Sequence, residues 1–241
     1  LANRYKRYIK RFSIMRINNP SFEIWEQQPG VAGVYKQIER VGRVCYKSED
    51  HTTADSAQPF VERMIKNQHY AMLEHGTVYL LFDKKTMEEI RKSNNKYYDP
   101  SPWYFYASNK FSQVNFDFGN YYVTTNLRVL AENNRLNDLK EFWSEPLVSH
   151  PKRVTVHFST QIAISREFNR HRADSMAEQS TRYCNYSKAK FGNEITVNLP
   201  TWIKQAMTGT EWAGNVNNGI LKVSGQQFME LAREVADGSA S

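Results

Sequence analysis

The residues best suited to chemistry lie between positions 166 and 183, where cationic, acidic and hydroxyl side chains are close together. Arg170, His171 and Arg172 are consecutive, and Arg182 follows ten residues later. Guanidinium groups held this close repel one another, so such a cluster is typical of a site that binds anions through paired hydrogen bonds. Neighbouring carboxylates would neutralise much of this charge, so a solvated, salt-bridged surface is the alternative interpretation.

The spacing within this cluster is more specific than its charge. The run Arg170–Arg172 is followed by seven residues and then by Ser180, with Glu178 and Arg182 on either side of that serine. This arrangement closely resembles the signature of the flavin-dependent thymidylate synthases. Zinc, P-loop and dinucleotide-binding patterns do not explain it.

A second segment resembles the same family independently of the first. His69 precedes the pair Glu74-His75, and a β-branched and aromatic run follows. By this resemblance His69 would lie near the flavin and the folate, and Glu74 and His75 would be structural. Two histidines six residues apart do not match a metal-binding spacing, so no metal site is expected.

The resemblance implies a reaction, its cofactors and a set of site residues. The reaction would be reductive methylation of deoxyuridine monophosphate (dUMP) to thymidylate, with methylenetetrahydrofolate as carbon donor and FAD, reduced by NADPH, as hydride donor. Arg170 and Ser180 would be the catalytic residues. The residues expected to bind FAD are His69, Ala71, Arg170, His171, Arg172 and Glu178. The residues expected to bind dUMP are Glu167, Arg170, Glu178, Ser180, Thr181, Arg182 and Arg233. The family also implies a homotetramer whose subunits share each site.

Several positions depart from the family pattern. Glu167 replaces the usual glutamine, and Ala71 replaces a threonine that often contacts the flavin. Ser180 has no evident base beside it, so it is either a nucleophile or a hydroxyl donor to phosphate or ring. Cys184 does not match the nucleophilic cysteine of the flavin-free synthases. Near the C-terminus, Arg233 follows Ala232 as in a third family segment, but the Leu-Pro expected next is missing.

Composition indicates a globular protein with anionic partners. The chain has 241 residues, 40% of them hydrophobic, and a formal net charge of +7. This charge favours phosphorylated ligands, from nucleotides to nucleic acid. No apolar run is long enough to span a membrane, and two cysteines are too few for a disulfide scaffold, so we expect a cytoplasmic protein.

Periodicity predicts an α+β fold, a mainly antiparallel sheet with flanking helices in a single domain. A helix and then a strand are expected within 21–48, with a strand or strand-like turn at Val41–Tyr46. A helix is expected at 57–67, and strands at 77–82, 121–125, 153–159 and 195–199. Further helices are expected at 127–133 and 161–171, the second with Ile164 and Phe168 facing inward. Residues 173–183 should form an extended loop that can wrap a ligand.

The predicted domain is residues 15–241, with residues 1–14 as a basic extension outside the core and Met15 near the natural start. Residues 84–152 would be an insertion relative to compact family members, either a surface excursion or a cover for the active site; loops are expected at 92–95 and 97–103. The family's C-terminal segment is expected to be missing.

Two hypotheses compete with an active synthase. One is a truncated relative that binds flavin or nucleotide without turnover. The other is a basic nucleic-acid-binding protein that uses residues 166–182 and nearby tyrosines as a stacking surface; we consider it the less favoured of the two.

Overall fold

A computed structural model describes residues 15–93, 102–171, 174–180, 184 and 195–198. The described chain is α+β, with small sheets and flanking helices. The strands are β1 (Met15–Asn18), β2 (Ser21–Trp25), β3 (Thr77–Phe82), β4 (Gln113–Asp117), β5 (Asn120–Asn126), β6 (Thr155–Ser159) and β7 (Ile195–Asn198). The α-helices are α1 (Gly30–Tyr46), α2 (Ala57–Lys66), α3 (Lys84–Ser93), α4 (Pro102–Ser108), α5 (Leu127–Glu132), α6 (Asp138–Glu141) and α7 (Ile162–Phe168). Two 3₁₀ helices span Glu49–His51 and Tyr70–His75.

These elements divide between two compact units. The larger unit comprises residues 24–157 and 174–179, and the smaller unit comprises the described residues of 15–23, 158–171, 180–184 and 195–198. The strands β2 and β6 pair in a two-stranded sheet, and the division passes through both. The single domain predicted from the sequence stays a prediction.

The larger unit is built on the antiparallel sheet β3-β5-β4, with β5 in the centre. Leu80 pairs with Val123, and Val123 pairs with Val114, so apolar side chains align across the three strands. The outer edge of β3 is covered by the segment 142–144: Leu81 donates its N–H to the Phe142 carbonyl at 2.8 Å. Strand β3 therefore has hydrogen-bonded neighbours on both of its edges. The aligned apolar side chains give the sheet one apolar face.

Helix α1 is longer than the sequence predicts. Residues Val41–Tyr46, expected to form a strand, form the last turns of this helix. Val34, Ile38 and Val41 recur at helical spacing and are all buried, so the apolar face of the helix continues into the β-branched residues. A Cβ on Gly42 would lie 2.8 Å from the Phe60 ring, so this glycine permits close packing of α1 against α2. Tertiary packing overrides the β propensity of the run.

The prediction for the segment before α1 is also wrong. Phe22 and Trp25, expected in a helix, lie in β2, where Phe22 is 70% exposed and Trp25 is buried. By contrast, the predicted helix at 57–67 and the predicted strands at 77–82 and 121–125 are confirmed. The helix predicted from Leu127 is confirmed as α5, and Asn126 caps it by accepting the Val129 N–H at 3.1 Å.

Residues 84–152 contribute much of the larger unit's core. They supply the central strand β5 and four helices, and Tyr106, Val123, Leu127 and Leu130 are fully buried. In this chain the segment is therefore not a surface excursion. Two predicted loops are partly helical: the loop expected at 92–95 begins in α3, and the one expected at 97–103 ends in α4; residues 94–101 lie outside the described residues.

The smaller unit contains a parallel pair of strands, with Met15 of β1 opposite Ile195 of β7. Its helix α7 has no buried residue, and Ile164 and Phe168 are 44% and 37% exposed. The prediction that these two side chains face inward is therefore wrong. Phe168 instead stacks on Phe158, with the ring centroids 5.2 Å apart.

Candidate functional site

Three of the predicted ligand-binding residues lie at the end of α7. Glu167 and Arg170 are 69% and 78% exposed, and their side chains form an ion pair at 3.2 Å. His171 is also exposed, and its backbone N–H donates to the Phe168 carbonyl at 2.9 Å. An exposed ion pair of this kind contributes about 0–1 kcal/mol, so an incoming phosphate can compete for the guanidinium. Arg170 is thus positioned by the helix end and accessible to a ligand.

The segment after this cluster has the irregular backbone that the sequence predicts. Residues 174–180 form neither helix nor strand, yet Glu178 and Ser180 are half-buried. The Ser180 carbonyl accepts the backbone N–H of Cys184 at 3.0 Å, and Cys184 is buried. The loop prediction is confirmed for the described positions of this segment.

Four predicted site residues lie outside the described residues: Arg172, Thr181, Arg182 and Arg233. Predictions about them stay predictions. Among the described members of the set, Glu167 and Arg170 are in direct contact.

The second predicted segment belongs to the larger unit. His69 is exposed and directly precedes the 3₁₀ helix Tyr70–His75, and its backbone N–H donates to the Met64 carbonyl at 2.9 Å. Ala71 is also exposed and offers no polar side chain. Leu73 is fully buried and holds this 3₁₀ helix against the core. The geometry leaves the imidazole of His69 accessible to a ligand.

Sequence reasoning gave Glu74 and His75 only a structural role, and the structure places them in a charged cluster of the larger unit. Arg128 donates to Glu74 and to Glu132, and the two carboxylates raise its pKa although burial alone would lower it. Burial and the positive charge of Arg153 lower the pKa of His75 from 6.5 to about 4, against the opposing effect of Glu74. The buried Nε2 of His75 has no hydrogen-bond partner among the described residues. His75 is therefore neutral near pH 7.

Arg153 is the residue of this cluster that sequence reasoning missed. Its guanidinium donates to the Thr125 carbonyl in β5 and to the Ser175 hydroxyl, each at 3.4 Å. Burial lowers the pKa of Arg153, and Glu74 and Tyr79 oppose that effect. The partners lie 28 and 22 residues away in the chain, so no local pattern marks this arginine as part of a site.

Among the described residues, no group of three or more His, Cys, Asp or Glu side chains is arranged to hold a metal ion. Within that part of the chain, no helix is both long and apolar enough to cross a membrane.

Comparison with protein families, with curated proteins and with solved structures finds no match to this chain. The resemblance at residues 170–182 and 69–75 rests on the residues themselves.

Proposed function

We propose that this chain is a flavin-dependent thymidylate synthase that converts dUMP to thymidylate. The observation that carries the proposal is the spacing of Arg170–Arg172 and Ser180. It is supported by an exposed helix end at Arg170 and His171, followed by an irregular, half-buried segment that contains Glu178 and Ser180. Cations close in sequence to a non-regular backbone suit a ligand that carries phosphate and planar rings.

The described donors fit the expected ligands in chemical type. Arg170 offers a planar fork of N–H groups for phosphate or uracil oxygens, and its described partner is an exposed carboxylate that such a ligand can displace. His171 and the exposed His69 can donate or accept hydrogen bonds at a flavin ring, whereas Ala71 cannot. When bound, reduced FAD would supply the hydride and methylenetetrahydrofolate the carbon unit.

In this proposal the chain's own residues bind, orient and stabilise charge. His171 and Glu178, with Arg172, would hold the flavin; Ser180 would hold dUMP through its hydroxyl, with Thr181 and Arg182. The positive charge of Arg170 would stabilise negative charge that develops on the uracil ring. Arg170 thereby has the largest expected effect on turnover. The assembly proposed with this function is a homotetramer that shares its sites, which light scattering can test.

The direct test of this function is formation of thymidylate by the purified chain supplied with dUMP, methylenetetrahydrofolate, FAD and NADPH. We expect product from the wild type, and a loss of roughly 100-fold or more in kcat/KM for Arg170→Ala, because a fixed cation at the reacting ring is removed. Lys140→Ala is the matched control, since it removes an exposed cation from α6, far along the chain from the proposed site.

Each failure points to a different competing hypothesis. Binding of FAD and dUMP without product would favour a non-catalytic relative. No binding of either ligand, together with nucleic-acid binding that weakens steeply with salt, would contradict the proposal and favour the basic nucleic-acid-binding protein.

A further inference from the structure

The guanidinium of Arg153 connects the central sheet of the larger unit to the segment that carries Glu178. It reaches the carbonyl of Thr125, one residue before the end of β5, and the hydroxyl of Ser175, each at 3.4 Å. Arg153 itself lies two residues before β6. One side chain therefore contacts a rigid strand and an irregular segment at the same time.

The contact to Ser175 has a specific consequence for residues 174–179. These residues belong to neither helix nor strand, so no ladder of backbone hydrogen bonds fixes their course. A side-chain contact helps to fix it: Ser175 is half-buried, and its hydroxyl accepts a hydrogen bond from Arg153. Glu178 is three residues farther along and is also half-buried. Glu178 is close enough in sequence for its placement to depend on this contact.

The surroundings of Arg153 favour a role beyond filling space. Removing a guanidinium from water is costly, and an apolar side chain of similar length would fill the same volume without that cost. The negative charge of Glu74 opposes the desolvation, and Arg128 and Glu132 continue the network at the surface. The neutral His75 avoids adding a second positive charge beside Arg153. The cluster thus keeps the Arg153 guanidinium charged and hydrogen-bonded where it contacts segment 174–179.

We propose that Arg153 is a positioning residue that holds segment 174–179 through Ser175 and thereby sets the affinity of the site for FAD. The part that concerns FAD rests on the proposed function. Arg153 is not expected to contact the flavin or the reacting atoms, and it acts through the placement of Glu178.

The test is a double-mutant cycle on Arg153→Met and Ser175→Ala, read out by the FAD dissociation constant and by hydrogen exchange of the amides in 174–180. Each single variant should weaken FAD binding roughly tenfold, the factor expected for loss of one hydrogen bond to a charged group. The double variant should be no weaker than Arg153→Met alone, because both changes remove one contact. Exchange in 174–180 should be faster in all three variants.

Two further variants test whether the effect is specific to the Arg153 guanidinium. Lys152→Ala removes the exposed cation next to Arg153 and should change neither the FAD affinity nor the exchange rate. Arg153→Lys keeps the charge but loses the fork, so it should restore only part of the affinity. Ser175→Ala is a mild substitution and keeps the test decisive if Arg153→Met does not fold.

The outcomes separate this proposal from the proposed function. A lower melting temperature with unchanged FAD affinity and unchanged exchange in 174–180 would overturn it and leave Arg153 a purely structural residue. Additive losses in the cycle would overturn the route through Ser175. If the wild type does not bind FAD, the proposed function fails. The hydrogen-exchange rates then test by themselves whether Arg153 holds segment 174–179, and unchanged rates in the variants would overturn that role.

Discussion

Strands β3 and β6 both carry apolar residues at every second position, yet these residues are buried in β3 and exposed in β6. In β3, Val78, Leu80 and Phe82 are fully buried. In β6, Val156 and Phe158 are 38% and 46% exposed, and the other three residues of the strand are half-buried. The two strands share this spacing and differ in what covers them.

The difference in burial follows from the neighbours of each strand. β3 has β5 on one side and the segment 142–144 on the other, and its apolar face packs into a core that includes Ile38 of α1. β6 pairs in a two-stranded sheet with β2, whose first four residues are exposed. Alternation thus specifies that a strand forms, while burial depends on partners distant in the sequence.

Truncating one phenylalanine in each strand tests this comparison most strongly. Phe82→Ala should lower the free energy of unfolding by about 3–5 kcal/mol, since it empties a fully buried volume. Phe158→Ala, the matched change in β6, should cost less than about 1 kcal/mol because its ring already meets solvent. Urea titrations of both variants measure the difference. An equal cost would contradict the comparison and show that Phe158 is covered in solution.

The half-buried imidazole of His75, whose Nε2 is fully buried, should make the larger unit sensitive to acid. Its pKa is about 4 in the folded chain and near 6.5 when unfolded, so protonation favours the unfolded state. Stability is fully present above about pH 6.5 and falls as the pH drops from there toward 4, by about 2–3 kcal/mol from this residue. His75→Leu should flatten that part of the stability profile measured by urea titration. His51→Leu, at a 65% exposed imidazole, is the control and should leave the slope unchanged.

A smaller effect is expected at the tyrosines of α4. The Tyr106 hydroxyl is buried and donates to Asp138 at 2.6 Å, and burial raises the pKa of both groups. Tyr106→Phe should cost about 1–3 kcal/mol because the Asp138 carboxylate loses a buried donor. Tyr104, 61% exposed on the same helix, is the matched position, and Tyr104→Phe should change thermal stability very little. Comparable losses for both would show that burial does not separate the two tyrosines.

The sequence was sufficient for elements whose period is sustained and whose ends are marked. Helix α2 follows from its 3.6-residue period, and strand β3 from its short run of β-branched, aromatic and aliphatic residues. The prediction for Val41–Tyr46 was wrong because a short β-branched run fits both a strand and the buried face of a helix. In the structure, helix α1 continues through this run. The inward-facing side of α7 was predicted wrongly because Ile164 and Phe168 lack the cover that the sequence pattern implies.

For the candidate site, the sequence predicts side chains but not the residues that support them. The Arg170–Ser180 spacing and the irregular segment at 174–180 were both readable from the chain. Arg153 was not, because it joins Thr125 and Ser175 through contacts that span 28 and 22 residues. Such contacts arise only when β5 and the segment are folded together in the larger unit.

The most direct measurement of the central claim is the visible absorption spectrum of the purified chain titrated with FAD and then with dUMP. We expect a bound, oxidised-flavin spectrum that shifts when dUMP is added, because residues 170–182 would place both ligands in one site. Arg170→Ala should reduce or abolish the dUMP-induced shift, and Lys140→Ala should preserve it. Failure to take up flavin at any practical FAD concentration would contradict the account.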